Sequence, residues 1–242
     1  MNEISKPMLY VQQRDIVLPG DLIAEGKLET TSIYVYKEGN RYYSSVVGMV
    51  EVKDDKIALT PMEHAYIPRP NDMVIGLITD VGPTYWEVDI NSPYEGQLPV
   101  GETILRQTQA TVDTLRKFLG IGDQVLLKVI AFDRLKDPVL SMRGKGLGKI
   151  TVGKVIEISS MTASILLFRK RSLVETIAKE TGTAIFVGNN ARIWISGGEP
   201  LMEDLAILAL KKIDTPDMSS ISISDIVDYI REEKAKRVKQ NG

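Results

Sequence analysis

The sequence predicts a multi-domain protein, mainly β plus α/β, with a small N-terminal β module, an OB-type β-barrel and a β-α-α-β-β-α domain. Three observations lead to this prediction. Short segments rich in Val, Ile and Tyr alternate with turn residues early in the chain, the next region has five short strands with one helical insert, and the chain from residue 151 alternates strands and helices in the order β-α-α-β-β-α. The predicted boundaries are residues 1–67, 68–148, 149–216 and, for a C-terminal helix and tail, 217–242.

Turn residues divide the first 67 positions into short strands. Gly, Pro, Asn and Asp favour turns, and they occur at Pro19-Gly20-Asp21, Glu38-Gly39-Asn40 and Asp54-Asp55. Segments between them, such as residues 32–36 and 42–52, have strand composition. The prolines of Ile67-Pro68-Arg69-Pro70-Asn71 then stiffen the chain and mark the end of an all-β module.

The order of the next segments predicts the barrel. In residues 85–90, Trp86, Val88 and Ile90 alternate with Glu87 and Asp89, as a half-buried strand requires. The remaining expected elements are strands at residues 72–81, 96–100, 124–132 and 139–142 and a helix at residues 112–119. Five short strands with a helix between the third and the fourth outline an OB-type barrel.

The rest of the chain predicts the order β-α-α-β-β-α and then one more helix. The expected strands are residues 152–158, 184–187 and 192–195, and the expected helices are residues 162–167, 172–180, 201–213 and 222–239. Ser172-Leu173-Val174-Glu175 fits a capping box that opens the second helix, and Thr181-Gly182 closes it. Asn189-Asn190 predicts a hairpin, because asparagine tolerates left-handed turn geometry.

The composition excludes most catalytic chemistry. The chain has no cysteine and one histidine, His64, which we expect to be a structural or surface residue. Gly144-Lys145-Gly146-Leu147-Gly148-Lys149 precedes a strand instead of a helix, so it predicts a flexible basic linker and no phosphate cradle. Glu87 and Asp89 share a strand face and are expected to solubilise it. No catalytic residue, metal site or cofactor is therefore predicted.

The chain is expected to stay in an aqueous, reducing compartment. It has no run of about 18 apolar residues, and its N-terminus lacks the basic-then-apolar order of a signal peptide. The absence of cysteine fits the cytoplasm. The sequence thus predicts a cytoplasmic protein with no membrane partner.

The net charge of −2 hides an uneven distribution. Residues 1–127 carry 11 Lys and Arg against 18 Asp and Glu, whereas residues 128–242 carry 19 against 14. Two basic segments stand out, namely residues 141–156, which contain no acidic residue, and Arg169-Lys170-Arg171. Such cations suit nucleic-acid phosphates, although they also suit a protein interface.

In this order, the segments resemble the RNA-binding cap subunits of the archaeal exosome, of the ribosomal-RNA-processing protein 4 type, with N-terminal, S1-type and KH domains. The N-terminal resemblance rests on Val17-Leu18-Pro19-Gly20-Asp21 and residues 48–52. The S1 resemblance rests on Asp72-Met73-Val74-Ile75-Gly76, residues 86–92, Gly122-Asp123-Gln124-Val125 and Asp137-Pro138-Val139-Leu140-Ser141. The KH resemblance, of type I order, rests on residues 184–190 and 192–195.

The resemblance implies a non-catalytic cap. In this family, three copies sit on a hexameric ring of RNase-PH-like subunits beside other cap subunits, docked mainly by the N-terminal domain. Their S1-type domains surround the entry pore, where single-stranded RNA is captured and passed inward for 3′-to-5′ phosphorolysis.

The chain departs from the family pattern at two RNA contact points. Phe168-Arg169-Lys170-Arg171 stands where a KH domain normally has its GXXG loop, and Phe168 is expected to pack inward. Glu87 stands where many S1-type barrels have a stacking aromatic residue. Basic loops are therefore the expected RNA contacts. The predicted RNA-binding residues are Arg106, Arg134, Lys136, Arg143, Lys145, Lys149, Arg169, Lys170 and Arg171.

A structural scaffold and an enzyme are the two alternative functions, and the enzyme is the less favoured. The same two departures fit a chiefly structural scaffold that stabilises the ring with little RNA binding of its own. Polynucleotide phosphorylase also carries KH and S1-type domains, but the 67 or so residues outside them are too few for its catalytic domains.

Overall fold

The computed structural model describes residues 7–30, 32, 34–53, 56–61, 65–104, 111–215 and 221–240. The chain forms two compact units, Met1–His64 and Ala65–Gly242. His64 and the predicted contact residue Arg106 lie outside the described residues. Within these ranges, no helix combines the length and apolar character that a membrane crossing requires.

The first unit is built from two four-stranded sheets, with strand orders β1-β3-β6-β5 and β2-β7-β8-β4. The strands are β1 Met8–Leu9, β2 Ile16–Val17, β3 Leu22–Glu25, β4 Glu29–Thr30, β5 Val35–Glu38, β6 Arg41–Ser44, β7 Gly48–Lys53 and β8 Lys56–Pro61. Both sheets contribute to one core, which includes Ile23, Val50 and Ile57. The predicted segment 42–52 is two strands, because the Ser44 hydroxyl bonds the Val46 backbone and turns the chain.

The second unit begins with a closed five-stranded barrel of strand order β13-β11-β10-β9-β12, completed by pairing of β12 with β13. Its elements are β9 Met73–Val81, β10 Tyr85–Asp89, β11 Gly96–Pro99, a 3-10 helix at Val100–Glu102, α1 Val112–Phe118, β12 Gln124–Asp133 and β13 Lys136–Ser141, with the short β14 Gly148–Lys149 added to β12. Trp86 is fully buried and its indole N–H donates to Leu119 O at 2.9 Å. The predicted OB-type barrel with its helix between the third and fourth strands is confirmed.

The remaining elements confirm the predicted β-α-α-β-β-α order. They are β15 Lys154–Glu157, α2 Ser160–Phe168, α3 Arg171–Thr181, β16 Ala184–Val187, β17 Arg192–Ser196, α4 Pro200–Ile213 and α5 Ile223–Gln240. The sheet has the order β15-β17-β16. Ile226 and Ile230 of α5 are buried in the same core as the other helices, as expected.

The predicted capping box at Ser172 is wrong. Helix α3 begins at Arg171 after Lys170, which makes no side-chain cap bond. The N–H groups of Arg169 and Lys170 both donate to Ile165 O, so α2 closes tightly and only two residues separate the helices. This short connection leaves Ser172 inside the helix, where a cap cannot form.

Candidate nucleic-acid interface

The outer face of the barrel carries a shallow depression. Alternation along β10 places Tyr85, Glu87 and Asp89 outward while Trp86 and Val88 fill the core. Pairing of β10 with β11, and of β11 with β13, extends this face across the barrel. The depression is lined by Thr84, Tyr85, Gln97, Pro99, Gly101, Glu102, Ile130 and Val139. It offers one aromatic ring and an aliphatic floor, which suit a flat organic group.

Three of the predicted cations flank this depression. Arg134 and Lys136 are exposed at the β12–β13 turn, beside Leu135, whose exposure is 95%. Lys136 precedes Val139 by three strand residues, which is about 10 Å along β13. Arg143 is at the opposite end, since its neighbour Met142 bonds Glu102 of the depression wall and its own guanidinium bonds Thr103 O at 3.5 Å. Positive charge therefore stands at both ends of an otherwise neutral to acidic face.

The glycine-rich segment is more ordered than the flexible linker predicted from sequence. Gly148 and Lys149 form β14 on the edge of β12, and Leu147 packs against the barrel core. Lys145 is exposed, whereas Lys149 forms an ion pair with Asp123 at 2.5 Å. Lys145 is thus open to phosphate, while Lys149 already has an anionic partner.

The α2–α3 connection brings the remaining predicted cations together. Arg169 and Arg171 are exposed, Lys170 is half-buried and donates to Ile221 O at 2.9 Å, and Arg171 contacts Glu175 at 3.4 Å. Phe168 is 76% exposed, so the expectation that it packs inward is wrong. The reason is helical geometry, because Phe168 lies about 200° around α2 from the buried Leu166.

A polar junction joins the β16–β17 hairpin to the barrel. Asn190 is fully buried; its amide group donates to Ile75 O at 2.8 Å and Ile90 O at 3.0 Å and accepts from Ile75 N–H at 3.2 Å. The hairpin prediction is confirmed, but the left-handed residue is Ala191, with φ 61°, instead of either asparagine. The asparagine side chains serve the junction, because Asn189 also accepts from Met73 N–H at 3.0 Å.

Arg192 is the charged centre of this junction and was not predicted as functional. Its side chain is 9% exposed and donates to the carboxylates of Asp89 at 2.6 Å and Glu157 at 2.8 Å. It also donates to the backbone oxygens of Asp89 and Ile75. Asp89 therefore anchors the junction, and its expected role of merely solubilising the strand is wrong.

The pKa of Asp89 reflects this contact. Partial burial acts to raise the pKa, but the hydrogen bonds from Arg192 and from Asn91 N–H, together with the guanidinium charge, outweigh burial and lower it. The Asp89 carboxylate of the folded protein is consequently ionised at neutral pH. An ion pair between Asp89 and Arg192 therefore holds the junction at neutral pH.

The structure does not gather all predicted residues at one place. Arg134, Lys136 and Arg143 surround the depression, Lys145 and Lys149 lie on the glycine-rich segment, and Arg169, Lys170 and Arg171 form the α2–α3 connection. Tyr85 was missed as a candidate ligand contact. The alternation of Trp86 and Val88 could have identified it, because the same pattern places residue 85 on the outer face.

A β module, a ligand-accessible OB-type barrel and a KH-type domain, with cations on the barrel and on the helix connection, define the class of multi-domain nucleic-acid-binding proteins. Residues 14–63 match the family model described as the exosome RNA binding protein RRP4 N-terminal domain. The chain belongs to the Rrp4 family of exosome complex components, as the archaeal relatives below establish.

Three curated relatives carry the name exosome complex component Rrp4. The Sulfurisphaera tokodaii protein is 38% identical over 95% of this chain and 93% of its own length. The Saccharolobus solfataricus protein is 37% identical over 100% and 98%, and that of Pyrococcus furiosus is 34% identical over 97% and 89%. A crystal structure provisionally named as an exosome complex RNA-binding protein is 38% identical, covers 72% of this chain and 99% of its own, and has a TM-score of 0.66. The predicted family and fold class are confirmed.

Proposed function

We propose that the chain is a non-catalytic RNA-binding cap subunit of an archaeal exosome in the cytoplasm. It captures single-stranded RNA and guides it into a hexameric, phosphorolytic ring of RNase-PH-like subunits for 3′-to-5′ degradation and processing. Family membership supports the assignment to the complex. The RNA-binding role is supported by the barrel surface, the cations and the KH-type domain.

The observation that carries this proposal is the barrel depression flanked by Arg134, Lys136 and Arg143. A flat, aromatic and aliphatic floor suits a nucleobase, and cations at both ends suit the phosphates on either side of it. Tyr85 supplies an aromatic ring for base stacking, which Glu87, at the usual stacking position, lacks. Glu102 in the same wall and Glu87 beside it repel phosphate, so one copy binds weakly and several copies on a ring bind effectively through avidity.

Docking is proposed to use residues 1–67, which lie in the acidic half of the chain. In this proposal the N-terminal module contacts the ring subunits and the neighbouring cap subunits, and the C-terminal modules contact RNA.

A scaffold with little RNA binding is the second candidate function. It is favoured by the ion pairs that occupy Lys149 and Arg171 and by the acidic residues on the barrel face.

Salt titration of RNA affinity separates the two candidates. The isolated full chain is mixed with a labelled single-stranded RNA, and the dissociation constant is measured by anisotropy from low to physiological salt. We expect weak binding. The logarithm of the association constant should fall linearly with the logarithm of the salt concentration, with a slope of about −0.7 per phosphate contacted. Absence of binding even at low salt would support the scaffold instead.

A further inference from the structure

The α2–α3 connection combines an exposed ring with concentrated positive charge. We call residues 168–171 the basic tip. Phe168 is 76% exposed, more than any other aromatic side chain in the part of the chain that the structure describes. It is the last residue of α2, directly before three consecutive cations. No Asp or Glu occurs from residue 158 to residue 174.

The core of the domain does not account for Phe168. The apolar side of α2 is supplied by Met161, Ala163 and Leu166, all buried, so the fold is complete without this ring. A single exposed apolar residue is common in proteins. What distinguishes Phe168 is its position on a cationic turn where the KH pattern has a glycine loop that approaches phosphates.

The surroundings of Phe168 favour a nucleic acid over a protein as its occupant. The exposed neighbours on the same turn and the facing turns of the two helices are polar or charged, namely Ser164, Arg169, Arg171, Ser172 and Glu175, which pairs with Arg171. One ring among polar side chains is too small an apolar area for the core of a protein interface. A nucleobase, by contrast, needs only one aromatic face, and every base can stack on it.

We infer that the basic tip is a second RNA contact, in which Phe168 stacks on one base of a single strand while Arg169 and Arg171 contact the phosphates beside it. This inference rests on the proposed RNA-binding function and adds a contact outside the barrel. Side chains replace the backbone approach that a glycine loop would permit. Because stacking ignores base identity, the contact has little sequence preference.

The test compares Phe168→Leu and Phe168→Tyr in the full chain. Leucine keeps the apolar bulk and helix propensity without the ring, and tyrosine keeps the ring. We expect F168L to weaken binding to single-stranded RNA roughly fivefold to tenfold, and F168Y to bind like the unchanged chain. Tyr10→Leu, at another exposed aromatic residue, is the matched control and leaves affinity unchanged.

A second probe isolates the stacking. On an oligonucleotide with abasic sites, F168L and the unchanged chain should bind equally, because no base remains to stack. F168L should also leave the salt slope unchanged, whereas Arg169→Glu with Arg171→Glu should reduce its magnitude by about 1.4 units.

The outcomes distinguish the tip from the function as a whole. If the unchanged chain binds RNA and F168L binds the same base-containing RNA equally well, the stacking contact is overturned while the proposed function stands. If the unchanged chain binds no RNA, both fail. If F168L lowers association with the ring subunits but not RNA affinity, the tip is a protein contact and the inference is overturned.

Discussion

Replacing Arg192 with alanine is expected to lower the free energy of unfolding of the Ala65–Gly242 unit by about 2–3 kcal/mol. The guanidinium is almost completely buried and joins Asp89 of the barrel to Glu157 of β15. Its removal leaves two carboxylates and the Ile75 and Asp89 carbonyls without this donor. The expected value is below the roughly 3–5 kcal/mol typical of breaking a fully buried pair, because both carboxylates reach solvent.

The fluorescence of tryptophan reports this change specifically. Both tryptophans, Trp86 and Trp194, lie in the affected unit, one in the barrel and one in the neighbouring sheet. Denaturant unfolding followed by fluorescence therefore gives the free energy of that unit. Arg231→Ala is the control, because Arg231 is exposed and its contact with Glu180 is long, at 3.9 Å, so its loss should change stability by less than about 0.5 kcal/mol. An equally small change for R192A would contradict a structural role for the junction.

Reversing the three charges around the barrel depression is expected to have the largest effect on RNA binding. Arg134→Glu, Lys136→Glu and Arg143→Glu together should weaken affinity about 100-fold at low salt and reduce the salt slope by about two units, because each cation contacts a phosphate. All three side chains are exposed, and the substitutions remove only one long hydrogen bond, from Arg143 to Thr103 O at 3.5 Å, so folding should be little affected. The measurement is the salt titration of the combined variant.

A matched control makes this result specific. Lys179→Glu, Lys211→Glu and Lys234→Glu change the net charge by the same amount at exposed positions on α3, α4 and α5. If affinity depended on overall charge alone, both triple variants would lose it equally. The barrel site predicts a loss of affinity only for the first, and an equal loss for the second would refute the site.

Alternating strands were predictable because each strand has one buried face. Trp86, Val88 and Ile90 mark the inner face of the second barrel strand without knowledge of any partner. Five such segments with a helix after the third outlined the barrel, although its strand order came only from the structure. Local signals failed where the chain connection was short. Ser172 has the residue type and spacing of a cap, but the two-residue connection places the start of α3 before it.

The junction was unpredictable for a different reason. Arg192 and Asp89 are 103 positions apart in the sequence. Each residue alone is a charged residue of the kind that is ordinarily found at an exposed strand position. Only the docking of the hairpin on the barrel buries Arg192 and pairs it with Asp89. The hairpin predicted from Asn189 and Asn190 is present, but the reason for the prediction was wrong. The asparagine side chains form hydrogen bonds with the barrel, and Ala191 adopts the left-handed turn geometry. Contacts between modules therefore cannot be predicted from sequence patterns within one module.

RNA capture by the assembled complex tests the central claim most directly. Single-stranded RNA is titrated into the ring alone, the ring with this chain, and the ring with the triple barrel variant. We expect the ring with the chain to bind at least tenfold more tightly than the ring alone, because several weak sites act together, and the triple variant to lose most of that gain while still assembling. Equal affinity of the ring with and without the chain would contradict an RNA-capturing role.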